Sequence, residues 1–215
     1  MNINNLISFD KNPKLYIIFG PMGASKTTTS LLIASQYIYA GKHVLFFSSA
    51  LDTRNNTNNK NINNKGISTH NQNITDDGIK NITIETFYNF DYKLVRNYDI
   101  IMIDEGQFFD DSIITFTKTL LNKGKMVYIS GLDGDANKNI FGHVTKLIPY
   151  AYFVIKSRCL CQFCREDGNM VEAPYTARIK QSVNATTKDG VMIDIGDTQD
   201  MYKAACWKCH KKYNI

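Results

Sequence analysis

Leu15-Tyr-Ile-Ile-Phe-Gly-Pro-Met-Gly-Ala-Ser-Lys-Thr-Thr28 decides the fold. Leu15 to Phe19 is a run of strand formers, stopped by Gly20 and Pro21, and it reads as a buried strand. Thr27 to Ala40 then takes helical spacing, with Leu31, Leu32, Ala34, Ile38 and Tyr39 offering an apolar face and Gly41 ending it. Val44 to Phe47 is a second apolar strand. Strand, helix and strand at such short spacing predict an α/β fold built on a parallel sheet.

The turn between the first strand and the helix carries chemistry. Gly20, Pro21, Met22, Gly23, Ala24, Ser25, Lys26, Thr27 and Thr28 follow a strand and open a helix, the setting a phosphate-binding loop requires. Free N–H groups and the positive end of the helix dipole favour an anion there. Lys26 is expected to reach the β- and γ-phosphates of a nucleotide, and the Thr27 hydroxyl to bind Mg²⁺, a hard cation that prefers oxygen. The pattern G-x-x-x-x-G-K-[ST] is met except at its second glycine, which is Ser25 here. Glycine at that point permits unusual φ and close backbone approach, so serine predicts a distorted or weaker loop.

Further along, Ile100-Ile-Met-Ile103 is an apolar strand ending in Asp104. A carboxylate at the carboxyl end of such a strand lies in the crevice where α/β sheets bind ligands, and Asp104 is expected to hold Mg²⁺ with Thr27. Ile82 to Thr86 is a possible strand, Ser112 to Asn122 a helix stopped by Gly124, and Met126 to Ile129 another buried strand. Between Asn55 and Asn64, seven of ten residues are asparagine; such a segment buries little and predicts a disordered loop.

The composition fits this frame. With 215 residues and 43% hydrophobic content the chain can bury a substantial core. No apolar run reaches the ~20 residues of a membrane helix, and the first residues lack a secretory pattern. A cytoplasmic protein with no membrane partner is the expectation. Net charge is +5, from 25 basic and 20 acidic residues without a basic patch, which suits a nucleotide better than nucleic acid.

All five cysteines fall at 159, 161, 164, 206 and 209. Cys161-x-x-Cys164 and Cys206-x-x-Cys209, 41 residues apart, form two knuckles whose four thiolates suit tetrahedral Zn²⁺. Cys159 and His210 are spare candidates, and His210 could replace Cys209. These positions divide the chain into a P-loop nucleotide-binding domain at 1–150 and a zinc-binding domain at 151–215.

Asp104-Glu-Gly-Gln-Phe-Phe109, with Gly20-Pro-Met22, Asp52-Thr-Arg54, Leu132-Asp-Gly134 and Phe141-Gly142, resembles the thymidine kinase family of animal cytosol, many bacteria and large DNA viruses. The resemblance runs in order from about residue 14 to 210. It implies transfer of the γ-phosphate of ATP to the 5′-hydroxyl of thymidine, giving dTMP. It implies Glu105 as catalytic base, Arg54 beside the transferring phosphate, and Asp52 in the Mg²⁺ shell or against the substrate. It implies a thymine pocket from Met22, Phe108, Leu132, Phe141, Thr176 and Tyr202, closed by a lasso loop at about Val183 to Gly196. By resemblance too, the four cysteines hold structural Zn²⁺ in a small C-terminal lasso domain, Cys159 is a small buried residue, the enzyme is a homotetramer, and dTTP inhibits it. Ala136 stands where the family has a phenylalanine lining the base pocket, which predicts looser thymidine binding.

Three rivals follow from the same residues. The loop and Asp104 alone allow a plain ATPase. The cysteine knuckles and positive charge allow a zinc-ribbon nucleic-acid-binding module, with Trp207 stacking on a base. Ser25 and Ala136 together allow an impaired kinase, or one of broader specificity.

Overall fold

The structure, a computed structural model, describes residues 6–51, 79–180, 185–188, 191–194 and 201–215. Its centre is a six-stranded parallel sheet. In chain order the strands are β1 (Leu15–Phe19), β2 (Val44–Ser49), β3 (Lys80–Ile84), β4 (Ile100–Ile103), β5 (Met126–Gly131) and β6 (Phe153–Lys156). In space they run β3-β2-β4-β5-β1-β6. The register sets Ile17 beside Ile129 and Val154, and Ile103 beside Phe47 and Ile129. β1, β2, β4 and β5 are buried along their whole length, as expected of parallel strands covered on both faces.

The two faces have separate cores. On one, α1 (Lys26–Tyr39) lays Leu31, Ile33, Ala34 and Tyr37 over Tyr16, Ile18, Phe46, Met102 and Tyr128. On the other, α2 (Ser112–Asn122) sets Ile113, Phe116 and Leu120 against Ile17, Phe47, Ile101, Val127 and Ile129. Phe116 stacks on Phe87 with centroids 3.9 Å apart. The helix at Ser112–Asn122 and the strand at Ile100–Ile103 fall where the sequence predicts them. β5 runs two residues past the predicted Ile129, and β3 begins at Lys80 rather than Ile82.

β6 lies beyond residue 150 and joins this sheet at its edge. The chain then leaves for a smaller lobe. β7 (Cys159–Leu160) pairs with β8 (Glu172–Ala173) around α3 (Gln162–Glu166). β9 (Tyr175–Arg178) pairs with β12 (Tyr202–Ala205), which leads into α4 (Trp207–Tyr213). Between them β10 (Ala185–Lys188) and β11 (Val191–Asp194) form an antiparallel hairpin. This hairpin falls within the expected lasso, Val183 to Gly196, whose other residues lie outside the described ones; so do the asparagine-rich loop, Asn55 to Asn64, and Asp52 and Arg54. Among the described residues no helix is long and apolar enough to cross a membrane.

Candidate active site

Because β1 and β4 flank β5, the loops after all three strands end at one rim. The loop after β1 is tight. A Cβ on Gly20 would meet the Ser157 carbonyl at 2.9 Å and the Ala24 methyl at 3.2 Å, so only glycine fits. Gly23 takes φ 77°. Ser25 takes φ 55° and ψ 32°, immediately before α1, and its side chain makes no capping bond. The residue that breaks the glycine pattern therefore occupies the left-handed conformation that glycine would adopt without cost. Lys26, 7% exposed, donates to the Pro21 carbonyl at 3.0 Å, folding its ammonium into the loop.

Thr27 and Asp104 meet across the end of β5. The Thr27 hydroxyl donates to one Asp104 carboxylate oxygen at 2.7 Å, and the Ser130 hydroxyl donates to the other. Two hard oxygen groups thus sit together at the mouth of the loop, the donor set Mg²⁺ prefers. Glu105 follows Asp104 and is 7% exposed, at φ 50°. The Gln107 amide donates to its carboxylate at 2.6 Å, and the same amide's oxygen accepts from the Leu132 N–H at 2.9 Å. Glycines make room for this turn. A Cβ on Gly131 would lie 2.5 Å from Oε1 of Gln107, and one on Gly142 would lie 2.4 Å from the Gln107 carbonyl.

The residues expected to hold a nucleobase divide into two groups. Phe108 and Phe141 meet edge to face with centroids 5.9 Å apart, beside the Leu132 backbone bonded to Gln107. Thr176, on β9, accepts from the Met22 N–H at 3.1 Å and so ties the phosphate loop to the smaller lobe. Tyr202, opposite Arg178, shares a face of the β9–β12 pair with Thr176 by register. A cleft of about 370 Å³ is lined by Pro21, Asp133, Lys138, Lys156, Tyr175 and Thr176 among others. Of the residues expected to hold the base, Thr176 lines it, and Met22, Phe108, Leu132, Phe141 and Tyr202 stand outside it; Pro21 reaches it from the phosphate loop. Gln107 and Ser130 join the site beyond the residues that the motifs single out. Gln107 was visible inside the motif; Ser130 carried no local signal, because only the sheet order brings it to Asp104.

In the smaller lobe the Sγ atoms of Cys161, Cys164, Cys206 and Cys209 all lie within 4.8 Å of one another. Cys164 is 3.8 Å from Cys206 and 3.5 Å from Cys209. Tetrahedral Zn–S bonds of about 2.3 Å require sulfur atoms roughly 3.8 Å apart, so the cluster is compatible with zinc. Each pair starts a short helix, with Cys161 before α3 and Cys206 before α4. Burial alone would raise the Cys161 thiol, yet backbone N–H groups and neighbouring thiols outweigh it and hold the group down to about 7. Cys159 stands apart. Its thiol donates to the Met22 carbonyl at 3.7 Å, and burial pushes its pKa up. His210 is also outside the cluster, bonded instead to the Ala136 carbonyl.

A profile of the family described as thymidine kinase matches residues 13–210. The chain belongs to the thymidine kinase family. It is 34% identical over 200 residues to the thymidine kinase of Choristoneura fumiferana entomopoxvirus, covering 92% of this chain and 96% of that one. It is 33% identical to the thymidine kinase of Amsacta moorei entomopoxvirus, covering 90% and 96%. It is 30% identical to thymidine kinase 1 of Dictyostelium discoideum, covering 92% and 77%. Among solved structures, the Legionella pneumophila ATPase DotB overlays with a TM-score of 0.45 at 14% identity, over 80% of this chain and 47% of that one. The phosphate loop, the Asp104–Glu105 turn and the cysteine cluster all lie inside the matched span.

Proposed function

We infer that this chain transfers the γ-phosphate of ATP to the 5′-hydroxyl of thymidine, giving dTMP for DNA precursor synthesis. The observation that carries the reading is the Thr27–Asp104 pair at the mouth of the phosphate loop, with the Glu105 carboxylate on the next residue. Phosphoryl transfer asks for positioning and charge neutralisation more than for covalent chemistry. Lys26 would leave the Pro21 carbonyl to meet the β- and γ-phosphates. Thr27 and Asp104 would hold Mg²⁺. Bound there, the metal would neutralise charge on the phosphate oxygens.

Glu105 is the base that takes the proton from the 5′-hydroxyl. Gln107 fixes the direction of its carboxylate, and Ser130 fixes that of Asp104. Phe108, Phe141, Leu132 and Met22 would enclose the base, with Thr176 and Tyr202 closing from the smaller lobe. Asp52 and Arg54 keep their roles by family resemblance. The cysteine cluster is assigned structural zinc, since four protein ligands leave no open position for chemistry. We place the phosphate machinery in residues 6–156 and the closing lobe after them. A cytoplasmic homotetramer inhibited by dTTP completes the reading, on resemblance alone.

Phosphorylation rates with ATP for thymidine, deoxyuridine and deoxycytidine test the proposal. Thymidine should be turned over fastest, and ATP consumption should depend on it. ATP hydrolysis indifferent to nucleoside would overturn the reading in favour of an ATPase.

A further inference from the structure

We propose that His210 is a positioning residue for the nucleoside, acting through the loop between Leu132 and Gly142. This inference rests on the kinase reading for its effect on substrate, but the contact itself is independent of it.

The loop is bonded within itself. Gly134 and Ile140 form a bridge, the N–H groups of Asp135, Lys138 and Phe141 donate to the carbonyls of Asn139, Asp135 and Asp133, and the Asp135 carboxylate accepts from the N–H groups of Asn137 and Asn139 at 2.8 Å each. At its tip the Ala136 carbonyl takes no main-chain bond among the described residues. His210 supplies a donor from α4. The ring is 3% exposed, with Nε2 2.8 Å from the Ala136 oxygen and Nδ1 3.0 Å from Nζ of Lys138. An ammonium has donors only, so Nδ1 must accept and Nε2 must carry the hydrogen. One imidazole therefore satisfies a main-chain acceptor and a side-chain donor on the same loop.

What the loop carries gives this contact its meaning. Leu132 opens the loop, bonded to the glutamine that orients Glu105. Phe141 closes it, packed on Phe108. Lys138 stands at φ 67°, its ammonium 5.1 Å from the Trp207 ring and 5.9 Å from the Tyr175 ring. One residue before His210 is Cys209 of the sulfur cluster. The smaller lobe is thereby bonded to the loop that bears the base-facing side chains.

The test compares wild type, His210→Ala and His210→Gln as full chains. Amide hydrogen exchange, read without nucleotide, should be about tenfold faster across residues 133–141 in His210→Ala, as expected for one lost buried hydrogen bond. KM for thymidine should rise about tenfold, while kcat and KM for ATP stay within about twofold. His210→Gln, whose amide can still donate to the Ala136 carbonyl, should recover most of both effects. Unchanged exchange at 133–141, or exchange accelerated equally throughout the chain, would overturn the inference; so would an equal rise in both KM values. If His210→Ala does not fold, Lys138→Met, which removes the Nδ1 contact together with the ammonium over the Trp207 and Tyr175 rings, should show the same pattern at about threefold, and no change there also overturns it. A wild type inactive on thymidine would sink the kinase reading, and the exchange comparison would still decide this one.

Discussion

Two residues at the phosphate end of the site sit in left-handed backbone without being glycine, Ser25 and Glu105. Their situations differ. Glu105 supplies the carboxylate the reaction needs, so its strain accompanies a function. Ser25 contributes no capping bond, and its side chain has no role in the proposed chemistry. Ser25→Gly should therefore stabilise the fold by about 1 kcal/mol, seen as a rise in thermal midpoint, with phosphate binding kept or improved. Glu105→Gln should lower kcat about 10²- to 10⁴-fold and leave KM for ATP nearly unchanged in steady-state kinetics. The sequence marked Ser25 as a departure but could not give its φ. It also left His210 open as a metal ligand, because adjacency to Cys209 says nothing about which way a helix turns the next side chain.

At the scale of elements, the motif turn after β4 depends on close approach to its neighbours. Gly131→Ala would drive a methyl to 2.5 Å from Oε1 of Gln107. Gln107 would then let go of either Glu105 or Leu132. The expected result is a drop in kcat of at least tenfold, since a displaced base loses its geometry, with a loss of stability of about 1–3 kcal/mol in denaturant titration. Phe116→Ala, in the middle of α2 and stacked on Phe87, should cost about 3–5 kcal/mol in the same titration. The long elements were legible, β1, β2, β4 and β5 as short apolar runs and α1 and α2 by helical spacing, but on α1 the expected Leu32 and Tyr39 are exposed and Ile33 and Tyr37 are buried instead. β6 was missed. Tyr152-Phe-Val-Ile155 is an apolar run that would have announced it, although its residues alternate between half-buried and exposed, as an edge strand's do. β9 and β12 are four residues each and are stabilised by pairing across the chain, which local pattern does not encode.

For the molecule as a whole, buried tyrosines make stability sensitive to alkali. Burial pushes Tyr16 up to about 12 and raises Tyr37 and Tyr128 as well. An acid whose folded pKa is raised favours the native state fully below its ordinary value of 10.0. That contribution is lost as pH climbs through the folded value. Stability should fall between about pH 10 and pH 12. Phenolate absorbance should show exposed tyrosines ionising first and these three only with loss of near-ultraviolet circular dichroism. The spatial order of the sheet bears on synthesis too. β1, which carries the phosphate loop, lies between β5 and β6 and pairs with no earlier strand. Its first partner begins at Met126 and its second ends at Lys156. Contacts this distant in sequence form slowly. On the ribosome, the strand that leads into the nucleotide site stays unpaired until most of the chain has emerged, so ATP can lend no stability to the nascent protein before then.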